Sequence, residues 1–222
     1  MKPVAIDLFC GKGGWTNGLL EAGFEVYGFD LEPQPDYRGI FLRCDVLDLT
    51  AKFLRGLRPV FACCSSPCEE FSVHGMKHFH PNPKQPEMGI KLFNHSRDVL
   101  EELGVPYLME NVRPAQKFVG RAVNHCGPFY LWGTGVPAIF PKEAYSVTKG
   151  IDVGSSSLIK EMTKEEKRVY RAQFVWNQAW SSSKKRQRDT ALAAMIPLPV
   201  ARTVAQSALS YVDARVLNRE VA

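Results

Sequence analysis

The chain has 222 residues, 45% of them hydrophobic, enough for one α/β domain with a real core, or one domain and a small appendage. No apolar run reaches the ~18 residues of a membrane span, and the opening MKPVAIDLFCG lacks the cleavage pattern of a secretory signal. The net charge of +5 is unevenly spread: residues 1–112 carry −4 and residues 113–222 carry +9, so the second half is the candidate footprint for a polyanion.

The elements follow in chain order. PVAIDLF (3–9) is a short apolar run and predicts a buried strand. GKGG makes a turn, and WTNGLLEAG predicts a helix closed by Gly23. EVYGFD (25–30) and IFLRCDV (40–46) read as strands, 50–57 as a short helix, and PVFACC (59–64) as a further strand. Residues 66–89 hold prolines, glycines and histidines without a period, and read as a long functional loop. Leu92, Val99, Leu100 and Leu103 fall near helical spacing and predict a helix over 88–104. PYLMENV (106–112) is another strand. Strands alternating with helices imply a doubly wound, mostly parallel sheet. Residues 141–189 read as loops around one helix near 163–175. Val200, Val204, Ala208 and Val212 line one face of a helix over 196–212, with Pro199 in its first turn.

The turn DLFCGKGGW sits between the first strand and the first helix. Gly11, Gly13 and Gly14 let the backbone approach a ligand, or serve packing alone. The spacing departs from the dinucleotide pattern, and the Lys-Ser/Thr of a phosphate loop is missing. Asp30 ends the second strand, where an open α/β sheet places a ribose-binding carboxylate. Asp45 ends the third and can face an adenine amino group. Together these point to a nucleoside pocket without a demanding phosphate site, which S-adenosylmethionine would suit.

CCSSPCEEFSVHG (63–75) puts three cysteines into six positions. Cys63 and Cys64 lie in the apolar strand, where one of them should point into the core as a small hydrophobe. Cys68 follows Pro67 at the carboxyl end of that strand, where such sheets place ligand chemistry, and is the candidate nucleophile. Glu69 and Glu70 beside it oppose thiolate formation. Cys68, His74, His78 and His80 offer metal-ligand types, but no second Cys or paired His closes a tetrahedral set, so no metal is expected. Phe71 also stands where a zinc deaminase needs its second cysteine. Six cysteines without a secretory signal point to reduced thiols in a cytosolic compartment. Glu110 ends the strand of MENV. A protonated Glu there could donate one hydrogen bond and accept another at the pairing edge of cytosine, or it caps the following turn.

DLFCGKGGW, VYGFD, CDV, SPCEEFS, GIKLF and MENV occur in this order, and together they resemble the C5-cytosine DNA methyltransferase family, in a compact form like those of phages and prophages. The resemblance covers about residues 4–112, with the C-terminal helix matching loosely. It implies the S-adenosylmethionine-dependent methyltransferase fold. Phe9 would stack on adenine, and Gly11 and Gly14 would contact the cofactor. Asp30 would bind the ribose hydroxyls, Leu31 would cover the adenine, and Asp45 and Val46 would hold its edge. Asp7, Gly13, Pro67 and Leu92 belong to the same implied cofactor set. Cys68 would add to carbon 6 of a flipped cytosine, with Glu110 at ring nitrogen 3. Residues 69–89 match the family's mobile loop.

The chain departs from the family pattern in places. No Gln-x-Arg-x-Arg follows the Glu-Asn-Val strand; HCGPFYLWGTG (125–135) stands there, and Arg113 and Arg121 are the nearby candidates against the base. Ile196-Pro197 replaces the Gly-Asn that opens the last motif, and Glu69 replaces a common Gln. The expected organisation is a catalytic core at 1–135, a short recognition region at 136–190 and a returning helix at 191–222. Lys184, Lys185 and Arg186, with Trp176 and Trp180 nearby, are expected to touch phosphate, or to form a solvated loop. The implied partner is double-stranded DNA, with RNA the rival polymer and a non-catalytic DNA-binding decoy the rival class. A monomer in the cytoplasm of a bacterial or phage-infected cell is expected.

Overall fold

The first strand, β1 (Val4–Leu8), is apolar at every position but Asp7, because helices cover both faces of the sheet it joins. The computed structural model describes residues 2–75, 78, 80–145 and 195–220, the last eight by backbone alone. The expected helix near 163–175 lies outside the described residues. After β1 come α1 (Gly14–Glu21), β2 (Glu25–Asp30), β3 (Ile40–Arg43), α2 (Ala51–Gly56) and β4 (Pro59–Cys64). Then follow α3 (Glu69–Ser72), α4 (Glu87–Leu103), β5 (Tyr107–Asn111), α5 (Gln116–Val119), β6 (Asn124–Cys126), β7 (Phe129–Trp132) and α6 (Lys142–Tyr145). The helix near the C-terminus, α7, spans Leu198–Glu220.

The strands form one sheet in the order β3-β2-β1-β4-β5-β7-β6. The first five are parallel; β7 runs antiparallel to both β5 and β6. The expected doubly wound, mostly parallel α/β sheet is therefore present. Its reversal point lies between β1 and β4, so β1 and β4 open a crevice at their carboxyl ends. On one face, Trp15 and Leu19 of α1 and Val200, Val204 and Ala208 of α7 pack on Ala5, Val26, Phe61 and Leu108. On the other, Leu54 of α2 and Phe93 and Leu100 of α4 pack on Ile6, Leu8, Phe29, Ala62 and Met109.

The structure adds detail that the sequence does not carry. Both Cys63 and Cys64 are fully buried, one in each face's core, because neither side of β4 is left open. The long loop at 66–89 contains α3 and a 3-10 turn at Val73–Gly75. There Phe71 buries its ring and Glu69 and Glu70 occupy the first turn, where helix N–H groups favour negative charge. The hairpin β6–β7 has no counterpart in the predicted elements. Val136, Phe140 and Ala144 pack in the same core as α7, so residues just beyond 135 are built into the main body.

The seat of α1 on α7 is unusually close. A Cβ at Gly14 would lie 2.5 Å from the backbone nitrogen of Ile196, and one at Gly18 would lie 2.5 Å from the carbonyl carbon of Ala201. At the rim, Arg202 donates to Glu21 (2.6 Å). Both side chains are exposed, so that pair adds little.

Candidate functional site

Parallel pairing brings the carboxyl ends of β1, β2, β3, β4 and β5 to one edge of the sheet. Every residue expected to do chemistry in the first half of the chain belongs to these strand ends or to an adjoining segment. After β1 the backbone turns sharply through left-handed conformations at Phe9 (φ 54), Gly11 (φ 46) and Gly13 (φ 78). Phe9 carries a side chain in a region that disfavours one, so its surroundings must hold it there. The Gly11 N–H donates to Asp30 Oδ2 (2.9 Å), and the Glu32 N–H donates to Oδ1 (3.0 Å). Asp30 is thus fixed beside the glycine turn with lone pairs to spare. Nothing lies within 4 Å of a Cβ built at Gly11, so the peptide there faces open space. Leu31 next to Asp30 is 55% exposed, an apolar side chain with no cover of its own.

Asp45 Oδ1 accepts from the Leu47 N–H (2.9 Å) and opens a 3-10 turn over Val46–Asp48. Val46 is buried, and its carbonyl is held by His95 of α4 (3.0 Å). Leu92, one turn earlier on α4, is half-buried. Two spaced carboxylates, an open glycine peptide and exposed apolar surface make a donor and contact set that fits a nucleoside. The residues therefore fit S-adenosylmethionine.

Asp7 and Gly14 have other surroundings. Asp7 is 1% exposed and accepts from Thr16 Oγ1 (2.6 Å) beneath α1. Gly14 is filled against Ile196. Burial pushes the Asp7 carboxyl up to about 7, against which the Thr16 bonds act downward and Asp30 upward. A carboxyl raised in the folded state favours folding at low pH, and that contribution is lost as pH rises towards the folded value. Wild-type protein should therefore lose stability between about pH 4 and about pH 7, by on the order of a few kcal/mol, and level off above. Asp7→Asn should flatten that slope; equal slopes in denaturant melts across the range would refute the assignment.

The turn that leads to Cys68 is held from two sides. The Ser65 N–H donates to Leu8 O (3.2 Å), and Trp15 Nε1 donates to Ser65 Oγ (2.8 Å). From β5, Asn111 Nδ2 donates to both Ser66 O (3.0 Å) and Ser66 Oγ (3.1 Å), while its Oδ1 accepts from the Val112 N–H (2.8 Å). Asn111 is fully buried, and Glu110 before it is 3% exposed. The Ser66–Asn111 bridge therefore ties the Pro67-Cys68 turn to the strand end that carries Glu110. Pro67 is exposed, and Cys68 is half-buried at the start of α3. Cys64 is different: burial pushes its thiol up to about 12, and Cys63 is raised well above the ordinary thiol range for the same reason.

Of the two acids beside Cys68, Glu70 is committed elsewhere. Its Oε2 accepts from the Gly89 N–H in the first turn of α4 (2.7 Å). A carboxylate is favoured there by the helix dipole. His74 contacts the Lys84 carbonyl (3.0 Å) and packs edge-on against Phe118 (4.7 Å), tying His74 and Lys84 to the segment after β5. His78 and His80 are exposed, and among the described residues no cluster of His, Cys, Asp or Glu is placed to hold a metal.

Arg113 opens the 3-10 turn directly after β5, exposed and three residues past Glu110. Arg121 is exposed beyond α5, on the way into β6. Lys184, Lys185 and Arg186 lie outside the described residues. Sequence reasoning missed the contacts made by Asn111, Trp15 and Glu70. Asn111 carried a signal, since it stands inside MENV next to the chosen acid; Trp15 and Glu70 carried none. Among the described residues, no helix is long and apolar enough to cross a membrane.

The chain resembles a known methylase over part of its length. It is 34% identical over 89 residues to the type II methylase M.HgiDII of Herpetosiphon aurantiacus, covering 35% of this chain and 25% of that protein. The match thus spans about a quarter of the relative's length. No protein-family model matches the chain. Among solved structures it superposes on a prophage-encoded DNA modification methyltransferase of E. coli, described as putative, at TM-score 0.41 and 23% identity, over 51% of this chain and 33% of that one. It also superposes on Dnmt2 methyltransferase of S. pombe at TM-score 0.40 and 20% identity, over 54% and 37%. The fold described above stands on the chain's own strand order, independently of these superpositions.

Proposed function

We propose that the chain is an S-adenosylmethionine-dependent methyltransferase that methylates carbon 5 of cytosine in DNA through a covalent Cys68 adduct. The observation that carries this reading is the Ser66–Asn111 bridge. It joins the Cys68 turn to the Glu110 strand end, on the same sheet edge as the Gly11–Asp30 turn.

Asp30 would hold the cofactor's ribose diol, Leu31 and Phe9 its adenine faces, and Asp45 and Val46 its adenine edge. When bound, the cofactor supplies an electrophilic methyl group on a sulfonium. The chain's own part is to make carbon 5 nucleophilic. The Cys68 thiolate forms a bond to carbon 6, and the electron pair of the 5,6 double bond is pushed towards ring nitrogen 3. A proton shared between Glu110 and that nitrogen stabilises the charge that develops there. After methylation, loss of the carbon 5 proton restores the double bond and expels the thiolate. Carbon 6 is hidden in a stacked duplex, so the target base must leave the stack.

A duplex carrying 5-fluorocytosine at the target tests the reading, because fluorine at carbon 5 blocks the final elimination. The expected result is a denaturant-resistant protein–DNA adduct that requires Cys68. The missing Gln-x-Arg-x-Arg favours a second reading, a cofactor- and DNA-binding protein without turnover. Binding of both ligands with no adduct would select it. Adducts on RNA alone would move the same chemistry to the other polymer.

A further inference from the structure

Beneath the glycine turn lies a run of hydrogen bonds that the proposed chemistry does not use. Thr16 Oγ1 donates to Asp7 Oδ2 (2.6 Å), and the Tyr37 hydroxyl lies 2.5 Å from Thr16 Oγ1. The Tyr37 ring lies against the glycine turn itself, 3.4 Å from a Cβ built at Gly13. The run thus starts on β1, crosses α1 and ends in the β2–β3 loop. With the Thr16 hydroxyl donating to Asp7, the Tyr37 O–H donates to Thr16. A run of one polarity reinforces its own members in a dry interior. Asp7 is its closed end, with Oδ1 buried and unbonded.

Tyr37 is fitted into place by glycines. A Cβ at Gly28 would fall 2.1 Å from the Tyr37 hydroxyl oxygen, one at Gly39 would fall 2.8 Å from its ring, and one at Gly13 would touch the ring at 3.4 Å. The slot leaves room for this aromatic ring and no side chains around it. Its neighbour Arg38 donates to Asn17 of α1 (3.2 Å), a second tie between the β2–β3 loop and α1.

What the run holds is the strained part of the site. Cys10 stands between Phe9 and Gly11, both in left-handed backbone, and its N–H is bonded to Phe29 O (3.1 Å). A strained turn persists only where its surroundings over-determine it. We propose that Tyr37 is a positioning residue for the cofactor turn. Through its ring against Gly13 on one side and Thr16 and Asp7 on the other, it keeps residues 9–13 in the conformation that receives the cofactor. This inference rests on the cofactor reading above.

Calorimetric titration with S-adenosylhomocysteine, beside thermal melts, tests it. Tyr37→Phe keeps the ring in its slot and removes the hydroxyl. Thr16→Val breaks the run one step further on. Each should weaken binding about fivefold to tenfold. The double variant should weaken it no more than about twofold further, because both break one run. Thr16→Ser, which keeps the hydroxyl, should bind within about twofold of wild type. In turnover the change should fall on the KM for S-adenosylmethionine, with kcat at saturation held. Should Tyr37→Phe fail to fold, the Thr16→Val and Thr16→Ser pair makes the same comparison. Wild-type affinity in variants that merely melt earlier overturns the inference and leaves the cofactor reading standing. So do additive losses in the double variant. Absence of binding by the wild type overturns the cofactor reading, and this inference with it.

Discussion

Cys68→Ser protein should bind S-adenosylhomocysteine as the wild type does, melt at the same temperature, and transfer methyl groups at least about 1,000-fold more slowly. The exchange replaces sulfur by oxygen with almost no change in volume. Cys68 is half-buried at the head of α3, outside both cores, so little packing is disturbed. The restraints on the turn also come from its neighbours, through Trp15 on Ser65 and Asn111 on Ser66, and the exchange leaves those bonds in place. What changes is the nucleophile: a serine hydroxyl stays protonated near neutral pH, while a thiol yields a useful fraction of thiolate. A filter assay with labelled cofactor and DNA reads the rate, and calorimetry reads the binding. Transfer within tenfold of wild type would remove Cys68 from the mechanism. The matching exchanges at Cys63 and Cys64 cannot serve as activity controls, since both sulfurs fill core space.

Gly18→Ala should cost about 3 kcal/mol of stability, which for a chain of this size lowers Tm by about 10 °C. The added methyl would fall 2.5 Å from the carbonyl carbon of Ala201. That neighbour is helix backbone and cannot swing aside as a side-chain tip would, so α1 and α7 must separate. Gly14→Ala meets the Ile196 backbone nitrogen at the same distance and should behave alike. Gly56→Ala is the control, because nothing lies within 4 Å of the new methyl, and its Tm should stay within about 2 °C of wild type. Equal Tm values for Gly18→Ala and Gly56→Ala in scanning calorimetry would show that the two helices are not held backbone to backbone.

These positions also show which parts of the molecule could be read in advance. Runs such as VAIDL and PVFACC are legible as strands because both faces are covered, leaving no polar alternation to confuse. The hairpin β6–β7 was missed because NHC and FYLW are too short to carry a period, and because a chain returning antiparallel breaks the βα rhythm. Candidate site residues at strand ends were legible for a topological reason: parallel strands deliver their carboxyl ends to one edge. Links between them were not. Asn111 and Ser66 lie 45 positions apart, and no local pattern announces their bond. Gly14 illustrates a different limit. Its place in a glycine motif suggested a ligand, while its contact with Ile196 shows that packing alone requires a residue without a side chain.

The seating of α1 on α7 has a consequence for how the protein is made. Glu21 and Arg202, at the rim of that seat, are 181 residues apart. At ribosomal speeds of about 5–20 residues per second, roughly 10 to 40 seconds of synthesis separate them. Throughout that interval Trp15, Leu19, Phe24 and Phe61 lack the α7 side chains that cover them in the finished fold. The nascent chain can pair β1, β2 and β4 early, yet it carries a bare apolar face until α7 arrives. The same helix and the residues just before it pack against α1 at Gly14 and Gly18, so the seat of the glycine turn is completed only once α7 has been made.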